Sequence, residues 1–174
     1  LEFFQKALNI RTGKFGADHP DVASSYLEIG KVLSDNDEVA KALEYFHKAL
    51  AIYQKGKGPD HFLVGDCFNS IGAAYYRKDE YDKAFDFYRK ALAIQIKQLG
   101  PDHPRTLHTK INIGNLMLFG KADYPKALEY FQKVLDVRLK QPNHDVSNIA
   151  STYYRIGVAH IFLEDFEKAL TNVQ

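Results

Sequence analysis

Apolar residues recur along this chain with a helical period, and the pattern itself recurs. The strings LEFFQKALNI from Leu1, LEYFHKALAI from Leu43, FDFYRKALAI from Phe85 and LEYFQKVLDV from Leu128 start 42, 42 and 43 residues apart. Ile-Gly pairs ending at Gly30, Gly72, Gly114 and Gly157 keep the same spacing, and Asp-His pairs ending at His19, His61 and His103 keep it across three units. Three markers on one period identify an internal repeat. Each unit predicts two helices. On the first, a period of 3.6 brings the fourth, seventh, eighth and eleventh positions onto one face. Tyr26, Ile29 and Gly30 hold such positions in the first full unit, and Phe68, Ile71, Gly72 and Tyr75 in the second. The second helix follows with Ala42, Phe46 and Ala49, then Ala84, Tyr88 and Ala91.

The residue types follow from packing. Glycine at the eighth position and alanine at the twentieth clear the crossing of two antiparallel helices. Large residues at the fourth, eleventh and twenty-fourth positions fill the remaining volume. One unit cannot bury this face alone, so neighbouring units must stack. Tyr153, Ile156, Gly157 and Ala169 continue the pattern in the last unit. The third unit departs from it: Lys110 takes the aromatic position, Val134 an alanine position, and one extra residue falls between Phe119 and Tyr124. Loops at Gly16-Ala17-Asp18-His19-Pro20, Gly58-Pro59-Asp60-His61 and Gly100-Pro101-Asp102-His103-Pro104 predict a helix stop followed by a helix start. There the glycines suit a left-handed residue after a helix, and Pro20 and Pro104 a first helical position.

Aromatic, two residues, Ile-Gly, and later Ala-x-x-x-Phe resembles the tetratricopeptide repeat. With Gly-x-Asp-His-Pro and Lys-Ala-Leu-x-Ile in a 42-residue frame, the chain resembles its kinesin light chain type over essentially the whole length. The resemblance implies an all-α, right-handed superhelical solenoid of antiparallel helix pairs, with the first helices lining its concave side. The extra length over the usual repeat lies between Ala49 and Phe68 and predicts helices about one turn longer. The expected organisation is a single solenoid segment over 1–174: a half repeat at 1–19, repeats near 20–61, 62–103 and 104–144, and a partial repeat at 145–174. Both ends cut a second helix, so the segment reads as a window from a longer array.

Charge and candidate chemistry narrow the function. Lys+Arg 23 against Asp+Glu 22 leaves a net charge of +1, which gives no field to recruit nucleic acid or a membrane surface. No apolar run approaches the length that spans a bilayer. Cys67 is the single cysteine, so there is no internal disulfide and no cysteine-based zinc site; a cytoplasmic setting is expected. His19, His61 and His103 occupy equivalent loops of stacked units, too far apart to share one ion, and read as residues that complete helix starts. His47, His108, His144 and His160 lack ligand spacing. Lys55-Gly56-Lys57-Gly58-Pro59 lacks the phosphate-loop spacing, and Asp79-Glu80 and Glu164-Asp165 fall at turns. No catalytic residue, cofactor or metal site is expected.

Recognition is then the expected function, of a protein or extended peptide. Beside the packing face, the second, fifth, sixth, ninth, twelfth and thirteenth positions of each first helix should point into the hollow. They include Leu27, Lys31 and Ser34, then Asn69, Tyr76 and Arg77, then Ile111, Asn112, Asn115, Leu118 and Phe119, then Tyr154, Arg155, Ile161 and Phe162. Ten of these form the candidate groove: Lys31, Asn69, Tyr76, Arg77, Asn112, Asn115, Phe119, Tyr154, Arg155 and Phe162. Asparagine both donates to and accepts from a peptide backbone, and arginine grips a carboxylate at two points. The first two strips are polar and the last two more apolar. The alternatives are a structural segment that self-associates through uncapped ends, and an RNA-binding helical repeat, which the charge balance disfavours.

Overall fold

The computed structural model describes residues 1–141 and 145–165. Helices α1 (Glu2–Phe15), α2 (Pro20–Asp35), α3 (Val39–Lys57), α4 (Phe62–Arg77), α5 (Tyr81–Leu99), α6 (Pro104–Asn115), α7 (Tyr124–Lys140) and α8 (Val146–Phe162) account for almost all of them, and no strand occurs among the described residues. Ala169, placed in the last repeat by its spacing, lies outside them. Backbone contacts divide the chain into two compact units, Leu1–Pro101 and the residues from Asp102 onward. In the first, α2 packs on α3 and α4 on α5; in the second, α7 packs on both α6 and α8.

Glycine and aromatic residue meet at each hairpin crossing. A side-chain carbon added to Gly30 would stand 2.5 Å from Phe46, one on Gly72 2.8 Å from Tyr88, and one on Gly114 2.5 Å from Phe131. The three rings are buried, at 2% exposure or less, as are Ala42, Ala84 and Ala127 beside them. Absence of a side chain on one helix is therefore what lets a large ring sit on the other.

Helix starts follow the loop sequences. Nδ1 of His19, His61 and His103 accepts the backbone N–H of Asp21, Leu63 and Arg105 at 3.1–3.2 Å, so each histidine caps α2, α4 or α6. Pro20 and Pro104 open α2 and α6 where no backbone donor is needed. Gly16, Gly58 and Gly100 depart from expectation. Their φ is positive, but with ψ near 160° they occupy an extended region open to glycine rather than the left-handed helical one.

Left-handed residues occur instead at the tips of the hairpins, and they are not glycines. Asp37, Asp79 and Glu164 have φ of 57–66°. After each, a backbone N–H closes a six-residue ring onto the ending helix: Glu38 to Leu33, Glu80 to Tyr75 and Asp165 to His160 at 2.8–3.0 Å. The extra residue of the third repeat changes this closure. A π-helical turn at Leu116–Gly120 ends α6 and takes up the added length. The left-handed residue becomes Ala122, and Asp123 now reaches back one residue further, to Met117 at 2.8 Å.

Candidate functional site

Four positions of each first helix, the second, sixth, ninth and thirteenth, lie one or two turns apart and form one stripe. In the first unit that stripe on α2 includes Glu28, Lys31 and Asp35, and on α4 it includes Asp66, Ser70, Ala73 and Arg77. The two stripes are joined, for α2 touches α4 and the Arg77 guanidinium lies 3.8 Å from the Asp35 carboxylate. Lys31 is exposed and pairs with Glu28 at 2.7 Å. Its charge also reaches Cys67, whose thiol burial pushes up to about 12 while Lys31 draws it down. Tyr76 is half-buried, which raises its phenol, with Asp79 adding to the shift; its ring stands 5.9 Å from Tyr81. Asn69 is also half-buried on α4.

In the second unit Asn112 and Asn115 are half-buried on α6, and Phe119 is exposed in the π turn. Arg155 on α8 is fixed in place: its Nε donates to Asn115 Oδ1 at 3.2 Å and its Nη1 to the Ser151 carbonyl at 2.8 Å. Tyr154 is 61% exposed beside it. Phe162, two turns further along the stripe from Arg155, stacks on Tyr124 with ring centres 5.2 Å apart and still shows 48% of its surface. The candidate residues thus fall into two groups, Lys31, Asn69, Tyr76 and Arg77 in one unit and the other six in the second.

Four residues of the expected strip are packed away. Leu27, Ser34, Ile111 and Leu118 are at most 8% exposed, so the fifth and twelfth positions do not all point into a hollow. Leu27 and Ser34 lie on α2, which is in contact with α1, α3 and α4. The apolar character assigned to the third strip through Leu118 is therefore core. At the same two positions of α8, Tyr154 and Ile161 are exposed by 61% and 47%.

A second arrangement escapes the repeat pattern. Arg11 on α1 donates to Ser25 Oγ on α2 at 2.8 Å and to the Asp21 carbonyl at 3.3 Å. Arg138 on α7 makes the same grip on α8, donating to Thr152 Oγ1 at 2.5 Å and to the Asn148 carbonyl at 2.6 Å. Ion pairs Lys55–Asp18 and Lys97–Asp60 likewise recur one repeat apart. Polar residues at equivalent places of the amphipathic second helices, Arg11, Tyr53, Gln95 and Arg138, are the available signal. These contacts bind one repeat to the next and offer no chemistry. No cluster of metal-binding side chains occurs among the described residues; His144 lies outside them.

Paired helices of one repeating type, joined through glycine–aromatic crossings, define a helical-repeat protein. The tetratricopeptide repeat model matches residues 1–55, 21–97 and 68–140, and a second tetratricopeptide repeat model matches 150–172. The chain belongs to the tetratricopeptide repeat family. Comparison with curated proteins found no relative by sequence. Among solved structures it is similar to BtubC (BKLC) from P. vanneervenii, at 20% identity and a TM-score of 0.84 over 99% of this chain and 68% of that one. A putative kinesin light chain of Podosopora anserina with nearly identical repeats gives 18% identity and 0.77 over 99% and 81%. Aspartyl phosphate phosphatase F from Bacillus subtilis gives 20% and 0.79, with 98% of this chain covering 43% of that one. At these identities the likeness is one of fold.

Proposed function

We propose that this chain is a non-enzymatic scaffold that binds an extended peptide along the stripes of its first helices, in the adaptor-like manner that kinship with a kinesin light chain fold suggests. Tetratricopeptide repeats generally mediate contacts between proteins. The observation that carries the reading here is the set around Arg155. A guanidinium already positioned by Asn115 and Ser151 is followed along the same stripe by an exposed ring, Phe162, so a charged and an apolar anchor are ready without reorganisation. Lys31, Asn69, Tyr76 and Arg77 supply polar contacts in the first unit. No helix of the described residues is long and apolar enough to cross a membrane, and the single buried thiol suits a reducing cytoplasm.

Peptides selected from a display library on the immobilised chain provide the test. Their affinity, read by fluorescence polarisation, should fall about 10- to 100-fold in the Arg77→Ala/Asn112→Ala double variant and again with Arg155→Ala. Unchanged affinity in both variants removes the stripes from the account.

Self-association is a second reading favoured by α1. Phe4 is 40% exposed, whereas Phe46, Tyr88 and Phe131 at the equivalent place are 2% or less; Phe3 and Ile10 on the same helix are 81% and 70% exposed. Such a face invites apolar burial. Light scattering across a concentration series should then show mass rising with concentration, and Phe3→Ser/Ile10→Ser should abolish the rise. A constant monomer mass discards this reading.

A further inference from the structure

Behind the first-helix stripe of the first unit lies a second open site. A groove of about 540 Å³ runs between α1 and α3 with α2 at its floor. It faces away from the stripe: at about 100° per residue, Glu28 and Lys31 lie roughly 160° and 140° around α2 from Tyr26, which lines the groove.

Its lining carries one charge and several neutral hydrogen-bonding groups. Lys48 supplies an ammonium, Tyr26 and Tyr45 phenols, Thr12 a hydroxyl, and Gln5 and Asn9 amides; no carboxylate lines it. The Gln5 amide already donates to Asn9 Oδ1 at 3.2 Å. Gly13 completes the wall, and a side-chain carbon built there meets nothing within 4 Å. Lysines at the equivalent place of the other repeats divide: Lys6 pairs with Glu2 at 2.6 Å and Lys133 with Glu129 at 2.5 Å, whereas Lys90 lies over the apolar rings of Phe87 and Phe68, 5.0 and 5.9 Å from their centres. Glu44 stands to Lys48 as Glu2 does to Lys6. Lys48 turns instead over the rings of Tyr45 and Tyr26, 5.0 and 5.9 Å from their centres, and pairs with no carboxylate among the described residues. The two tyrosine rings, 5.8 Å apart, draw the ammonium into the groove by cation–π attraction.

We propose that this groove is a docking site for an acidic peptide, seated between α1 and α3 with a carboxylate on Lys48. Charge complementarity selects the occupant. An unpaired cation flanked by phenols and amides satisfies a carboxylate through charge-assisted hydrogen bonds, whereas a cationic ligand would be repelled by Lys48 and find no carboxylate in the lining.

A fluorescein-labelled hexaglutamate peptide titrated against the whole chain at low salt tests the site. Binding should weaken about tenfold with Lys48→Gln and as much with Gly13→Glu, which puts an opposing charge into the open wall without touching the core. Lys48→Arg should retain binding, and Lys133→Gln, an exposed lysine at the equivalent place of α7, should leave it unchanged. The proposal is overturned if the wild-type chain does not bind, if hexalysine binds as well, or if Lys48→Gln binds like wild type. It is also overturned if Lys133→Gln weakens binding equally, or if inorganic phosphate displaces the peptide as effectively as free hexaglutamate, which would make the groove a general anion trap.

Discussion

Gly114→Ala should destabilise the protein by about 2 kcal/mol, lowering the midpoint of thermal unfolding by about 4–8 °C. Two effects oppose each other. Alanine in place of a helical glycine ordinarily gains about 1 kcal/mol through reduced chain entropy. At Gly114 the new carbon would stand 2.5 Å from Cε1 of Phe131 and 2.9 Å from its Cδ1 and Cζ. Phe131 is fully buried and cannot swing aside, so the α6–α7 crossing must open, and overpacking of this kind costs about 1–3 kcal/mol or more. Gly13→Ala is the matched control. Its added carbon touches nothing, so only the entropic gain remains and stability should rise by about 0.5–1 kcal/mol. Opposite signs for one substitution at two helical glycines, measured by urea unfolding, would isolate the crossing as the cause. Phe131→Leu added to Gly114→Ala should restore part of the loss. If Gly114→Ala proves neutral, the α6–α7 crossing has room for a methyl group.

Arg138→Ala should release α8 from α7 at a cost of about 2–3 kcal/mol, because hydrogen bonds from a charged donor contribute about 1.5–3 kcal/mol. Nη1 of Arg138 bridges the Asn148 carbonyl and Thr152 Oγ1, and Nη2 reaches Asn148 Oδ1 at 3.3 Å. Burial draws the guanidinium pKa down, with the neighbouring Arg155 charge adding to the shift and Asp145 opposing it. The side chain is therefore partly desolvated and already bears the strain of a like charge. Its removal leaves Thr152 bonded to the Asn148 carbonyl within α8 and takes away the polar tie between the start of that helix and α7. Hydrogen exchange should show α8 amides accelerating about 30- to 150-fold while α7 changes little. Arg138→Lys should recover only part of the protection, because an ammonium cannot reproduce the planar fork. Uniform acceleration through α6, α7 and α8 would show instead that the grip is not local.

The fold was legible to the extent that it depends on side-chain size at fixed intervals. Gly30, Gly72 and Gly114 announced the crossings, because no other residue type serves where a ring must touch a helix backbone. His19, His61 and His103 announced helix starts through loop chemistry alone. What stayed hidden depends on distances between elements. Nothing local says that Ser34 and Leu118 face a neighbour, since their spacing fits the exposed stripe as well as the packed edge. The π turn was foreshadowed as one extra residue, but its place inside the end of α6 reflects how Leu116 and Met117 are held in the core. Asp79 and Glu164 are placed at turns by the sequence, but nothing local says that each takes the left-handed conformation that closes the preceding helix. For the candidate site, helical spacing identified which face of each first helix to inspect. It did not reveal that Arg155 is gripped by Asn115, or that Arg77 meets Asp35, because those pairs lie 40 and 42 positions apart in the chain.

The π turn of the third repeat separates two properties that usually vary together. Gly114 and Phe131 approach as closely as Gly30 and Phe46 do, although the third hairpin is one residue longer. Length added at a hairpin tip is thus absorbed within a single turn of α6 and never reaches the crossing. Tips can drift in size and composition from one copy of the motif to the next while the spine keeps its gauge, which leaves the apices of the hairpins open to diversify into new contacts.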